Sequence, residues 1–109
     1  MATLSDLTSA DRVEAALAVP GLLVLDVYTQ SCTVCRRVEP MVAAVAIASG
    51  GVVRAHKLDA ERHAEFAANY DIRGVPTLLL FRDGQLIDRR SGFSTASALR
   101  DWIGAKAHE

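Results

Sequence analysis

Two cysteines stand three residues apart, at Cys32 and Cys35, and they are the only cysteines in the chain. They follow an apolar run, Leu22 to Tyr28, that carries a single aspartate, Asp26. Three chemistries fit a close cysteine pair: a structural staple, a metal site, or reversible electron exchange. Residues three apart in a helix have Cα atoms roughly 5 Å apart, which lies within the span of a disulfide. A bond there can form and break with little backbone movement. A closed zinc site needs four ligands, from two such pairs or from histidines at fixed spacing. His56, His63 and His108 show no such spacing. Redox chemistry is the favoured reading.

Position makes the two sulfurs unequal. Cys32 falls at a junction between strand and helix, where free backbone N–H groups and the helix dipole favour a thiolate. Thr33 can donate a hydroxyl hydrogen bond to it, and Arg36 and Arg37 add positive charge one turn later. Cys35 lies inside the first turn and is expected to be the more buried. Cys32 is thus the candidate nucleophile and Cys35 the resolving thiol. Asp26 interrupts a strand that otherwise reads as core. A buried carboxylate is costly unless paired or protonated, and desolvation is expected to raise its pKa. The bland alternative is an aspartate at a strand edge facing water, or one bonded to a neighbouring backbone. Its place six residues before Cys32 suits a general acid–base that takes the proton of Cys35. Lys57, at the end of the next strand, is the expected charge partner.

The elements that must hold these residues follow from periodicity. Ser9–Val19 has helical spacing with Ser9 as N-cap, and Pro20-Gly21 ends it. Leu22–Tyr28 reads as a buried strand. Thr33–Ser49 reads as a helix closed by Gly50-Gly51. Val52–Leu58 is a strand, Ala60–Tyr70 a short amphipathic helix, and Thr77–Arg82 a second apolar strand. Asp83-Gly84 is a hairpin signal that leads into Gln85–Ser91. Thr95–Ala107 is a last helix, apolar at Ala98, Leu99, Trp102 and Ile103, with Trp102 expected to pack in the core. Early alternation of strand and helix calls for parallel strands with crossovers, and the late hairpin adds an antiparallel edge. Thr3–Leu7 is a candidate outer strand with a weak strand sequence. The fold class expected is α/β, a mixed sheet of four to five strands flanked by about four helices.

Composition narrows the remaining choices. The 109 residues suit one domain over 1–109. Half are hydrophobic and 23% are charged, ordinary for a globular protein. The formal net charge is −1, with twelve basic against thirteen acidic residues, which gives nucleic-acid binding little support. No stretch is apolar enough to span a membrane, and Met1–Thr8 lacks the basic start of a secretory signal. A cytoplasmic location is therefore expected. Thiols are kept reduced there, so a structural staple is disfavoured.

These features together resemble the thioredoxin family over almost the whole chain. The resemblance rests on "LVLDVYTQSCTVCRRVEP", "KLDA", "YDIRGVPTLLLFRDGQ" and Gly92 before the last helix. It implies a thioredoxin fold and a protein-disulfide reductase that works by dithiol exchange and needs no cofactor of its own. Its partners would be protein disulfides and a thioredoxin-reductase-like or other thiol reductant, with the chain acting as a monomer. Pro76 matches the family's cis proline facing the cysteines, which implies a cis Val75–Pro76 bond. The backbone just before that proline pairs with an extended substrate chain. Pro40 matches a proline that kinks the active-site helix. Gly74 and Gly92 match small residues beside the docking groove. Ser31, Thr33 and Val34 complete the expected substrate-binding set.

The chain departs from the family at the motif itself. The usual Trp-Cys-Gly-Pro-Cys is Ser31-Cys32-Thr33-Val34-Cys35 here, and Tyr28 replaces another frequent tryptophan. Loss of the aromatic at Ser31 weakens generic docking. Two further readings follow: an adaptor module for one dedicated partner, or a glutaredoxin-like protein using glutathione or an iron–sulfur cluster. Pro76 disfavours a metal at Cys32, since in the family it crowds the sulfur. Val34 keeps an N–H that proline lacks, which adds a donor near Cys32. The sequence therefore predicts a reduction potential above the family's roughly −270 mV, near −200 to −230 mV. Equilibration with glutathione measures it, and a value at or below the thioredoxin reference removes the argument.

Overall fold

A computed structural model describes residues 3–108. The elements run in the order α1 (Ala10–Ala18), β1 (Leu22–Tyr28), α2 (Thr33–Ala48), β2 (Val53–Asp59), α3 (Ala64–Asn69), β3 (Thr77–Arg82), β4 (Gln85–Arg90) and α4 (Ala96–Ala107). Ser9 and Thr95 cap α1 and α4 by accepting from Arg12 N–H and Ala98 N–H, as short hydroxyl side chains do at helix starts. The four strands form one sheet in the order β2-β1-β3-β4.

Only β1 and β2 run parallel; β3 is antiparallel to β1 and β4 to β3. Both strands of the hairpin thus form the antiparallel part, rather than an added edge alone. The cause is the length of α3. Six helical residues span about 9 Å, too little to carry the chain back along a strand of about 20 Å. So β3 starts at the end where β2 stops, with Thr77 opposite Val27 and Asp59 opposite Tyr28. The helix α3 also starts later than the expected Ala60, at Ala64. The Asp59 carboxylate accepts from Glu61 N–H at 2.9 Å and Arg62 N–H at 3.4 Å, and this local turn competes with the helix.

The candidate strand at Thr3–Leu7 is reduced to one isolated parallel bridge, Asp6 to Lys57. Lys57 N–H donates to Ser5 O at 3.0 Å and Leu7 N–H to Lys57 O at 2.9 Å. Two bonds hold residues 5–7 along the edge of β2 without extending the sheet.

Strand alternation sorts β1 between two cores. Leu23, Leu25 and Val27 pack with Val13 and Ala16 of α1 and with Leu58, Leu79 and Phe81. Val24 packs on the other face with Val38, Val42 and Ala43 of α2 and Leu99, Trp102 and Ile103 of α4. Asp26 shares the parity of Val24, so its side chain lies on the α2 face. Trp102 is a packing residue: its ring meets Phe93 at 5.2 Å between centroids, and its N–H donates to Asp88 Oδ2 at 2.7 Å.

The hairpin turn has Asp83 at φ 51° and Gly84 at φ 81°, the left-handed pair that suits a two-residue turn. A Cβ on Gly84 would lie 2.7 Å from the Leu17 carbonyl oxygen. Gly84→Ala is therefore expected to destabilise the protein by about 1–3 kcal/mol, read by urea unfolding; an unchanged midpoint would show that α1 yields freely.

Candidate active site

Cys32 caps α2, and its sulfur accepts from Cys35 N–H at 3.1 Å. The Cys32 N–H donates back to Thr29 O at 3.2 Å, which fixes the turn between β1 and α2. The two sulfurs are joined as a disulfide, with Cα atoms 5.3 Å apart. Cys32 is partly exposed, whereas Cys35 is 4% exposed beneath it. The bond to the Cys32 sulfur thus comes from Cys35 N–H, not from the Val34 N–H expected from the motif. The raised potential loses that contact as support in the disulfide form.

Asp26 sits beneath this pair. It is 1% exposed, and its Oδ1 has no hydrogen-bond partner among the described residues. Burial, joined by the negative charge of Glu39 and partly offset by Lys57, pushes its carboxyl from the ordinary 3.8 up to about 7. Lys57 is the direct cross-strand neighbour of Asp26, but its ammonium binds Glu39 instead. The Nζ lies 3.1 Å from Glu39 Oε2 and 3.3 Å from Oε1. It also stands over the Tyr28 ring, 5.3 Å from the centroid, and the Tyr28 hydroxyl donates to Asp6 Oδ2 at 2.6 Å.

A polar cleft of about 220 Å³ gathers Asp26, Cys32, Cys35, Glu39 and Lys57. The cleft is large enough for several waters at about 30 Å³ each. Glu39 was not singled out from the sequence. A signal was present: it follows Cys35 by four residues, which places both on one side of α2. Among the described residues, no group of three or more His, Cys, Asp or Glu side chains is placed to hold a metal ion.

The expected docking residues divide between two grooves that meet at Pro76. One, of about 420 Å³, brings together Val34, Pro76 and Gly92 with Val38, Met41 and Phe93. The other, of about 460 Å³, holds Gly74, Val75, Pro76 and Thr77 with Arg73 and Arg89. The Val75–Pro76 bond is cis. Gly92 has φ 119°, and a Cβ there would press to 3.2 Å from Pro76 Cγ. Val34 is 52% exposed. Ser31 and Thr33 are exposed at the start of α2 but line neither groove. A separate apolar cavity of about 520 Å³, between α2, β2 and α4, contains none of the candidate site residues.

The raised Asp26 carboxyl makes stability depend on pH. The folded chain keeps a proton between about pH 4 and pH 7 that the unfolded chain releases. The Asp26 contribution to stability is therefore greatest below pH 4 and is lost as pH rises to 7, by about 4 kcal/mol at 1.36 kcal/mol per pH unit. Asp26→Asn is expected to be more stable than the parent at pH 8, by up to about that amount, with the gain vanishing at pH 4. Urea titrations at both pH values measure it. An equal gain at both would mean that ionisation is not its source.

The thioredoxin family model matches residues 6–105. The thioredoxin of Rhodospirillum rubrum is 28% identical over 102 residues, 94% of this chain and 98% of that protein. The thioredoxin of Bacillus subtilis (strain 168) is 24% identical over 95 residues, 87% and 91% of the two chains. Among solved structures, Fasciola hepatica thioredoxin superposes with a TM-score of 0.81 at 30% identity, covering 94% of this chain and 99% of that one. Among described residues no helix is long and apolar enough to cross a membrane. A match from residue 6 to residue 105, with a cysteine pair bonded at the start of α2, shows that the chain belongs to the thioredoxin family and is a thiol–disulfide oxidoreductase.

Proposed function

We propose that Cys32 is the attacking thiolate, Cys35 the resolving thiol and Asp26 the acceptor of the Cys35 proton. The observation that carries this reading is the shared polar cleft, which unites Asp26 with both sulfurs. Cys32 occupies the N-cap and reaches solvent, so it is the sulfur a substrate meets. Helix N–H groups and dipole favour its thiolate. Cys35 is buried and needs a group to take its proton. Asp26 titrates near neutrality, so it can both accept and return one.

The reaction starts from the dithiol. The Cys32 thiolate attacks a substrate disulfide. A Cys32–substrate bond forms, the substrate S–S bond breaks, and the first substrate sulfur leaves as a thiolate that takes a proton from solvent. Asp26 then takes the Cys35 proton, directly or through a water in the cleft. The Cys35 sulfur attacks Cys32, the mixed disulfide breaks, and the second substrate sulfur leaves and is protonated. Two electrons have passed to the substrate, and the Cys32–Cys35 bond remains.

Substrate docks as an extended chain against the backbone at Val75 and Pro76, between the two grooves. Ser31, Thr33, Val34, Gly74 and Gly92 frame that face. A thioredoxin-reductase-like enzyme or another thiol reductant restores the dithiol, and the reducing cytoplasm is the compartment that suits this cycle.

Insulin reduction in dithiothreitol tests the assignment. Cys32→Ser is expected to fall to the uncatalysed rate. Cys35→Ser is expected to lose turnover and accumulate a mixed disulfide at Cys32, visible by mass spectrometry. Trapping at position 35 in the converse variant would reverse the two roles.

A further inference from the structure

We propose that Glu39 is a positioning residue for the resolving step: it holds the Lys57 ammonium in an ion pair and so leaves the neighbouring Asp26 free to take and return the Cys35 proton. This rests on the role given to Asp26 above.

The geometry is a three-element cluster. Asp26 of β1 and Lys57 of β2 are register partners on the sheet face under α2. Glu39 lies on α2 four residues beyond Cys35, so both look down on that face. Both Glu39 oxygens reach the Lys57 ammonium, at 3.1 and 3.3 Å. Leu4 N–H donates to Glu39 Oε2 at 2.8 Å and fixes the carboxylate from the third side. The pair is mostly sheltered, with side chains 24% and 18% exposed, so solvent screens it less than a surface pair.

The other groups around the cleft do not substitute for Glu39. Arg36 of α2 is exposed and donates to Gln30 O at 3.3 Å. Tyr28 of β1 is engaged with Asp6. Asp59 of β2 is bonded to Gln30 and to the turn at 61–62. On the β3 side, Asp26 faces uncharged Leu78. Cys32 and Cys35 are the reacting sulfurs. Glu39 is therefore the cleft anion that competes with Asp26 for Lys57. Without it, the ammonium turns to its cross-strand neighbour. A carboxylate bound to an ammonium holds its ionised form and accepts a proton poorly. Loss of the Glu39 charge acts in the same direction.

The test is an NMR titration of the Asp26 carboxyl in the intact disulfide protein, with Glu39→Gln and Glu39→Asp. Glutamine keeps an acceptor for Leu4 N–H and removes only the charge. Its Asp26 midpoint is expected to fall by one pH unit or more, about tenfold in the acid constant. Glu39→Asp keeps the charge and is expected to restore most of the parent midpoint. The acid limb of substrate release from the mixed disulfide, followed by rapid quench, should move with it. An unmoved midpoint in Glu39→Gln, or equal movement in both variants, overturns the proposal. A midpoint that moves while release stays indifferent to pH refutes the role of Asp26 itself, and the positioning role with it. Loss of insulin reduction in Cys32→Ser is read separately from either result.

Discussion

One buried carboxylate organises the working end of this molecule. Asp26 stands between Leu25 and Val27, both completely enclosed, and an isolated charge in that place is costly. Strand parity directs it beneath α2 rather than into the opposite core, so the cost falls where the sulfurs are. The carboxyl then sits between charge and neutrality at ordinary pH. The cysteine pair, the Lys57–Glu39 bridge and the chain at Leu4 are arranged around it. Burial makes its ionised form costly, so the residue weakens the fold as it loses its proton.

The sulfurs draw their asymmetry from the same local geometry. A strand ends, a short turn follows, and a helix begins with Cys32 as its cap. One position faces solvent while the other, a single turn on, is roofed by the first. Pro76 stands where the two grooves meet, close against Gly92, where a Cβ would come 3.2 Å from its Cγ. Where the family usually carries large aromatics, this chain has Ser31 and Tyr28. The latter is turned inward and offers its ring to Lys57 and its hydroxyl to Asp6. Val34 is exposed here, beside grooves bordered by arginines.

Much of this was legible from residue order. Local signals marked nearly every element, because Ser9, Thr95, Pro20-Gly21 and Asp83-Gly84 act within one turn of chain. The cysteine spacing and the aspartate in an apolar run located the site. What escaped was non-local. The direction of β3 depends on how short α3 is, and α3 is shortened by an Asp59 side chain that binds the next turn. Lys57 was legible as a cation near Asp26, but its choice of Glu39 depends on how α2 lies across the sheet. The contact made in the disulfide form was not legible either, since there the third N–H of the helix, not the second, reaches the cap.

The stretch from Leu4 to Leu7 forms barely any regular structure, yet it touches both halves of the ion pair. Leu4 grips the Glu39 side chain, while Ser5 and Leu7 hold the Lys57 backbone. It lies as a strap across the Lys57–Glu39 pair. A change in the backbone of residues 4–7 would therefore reach the Lys57–Glu39 pair through main-chain bonds, without altering either charged side chain.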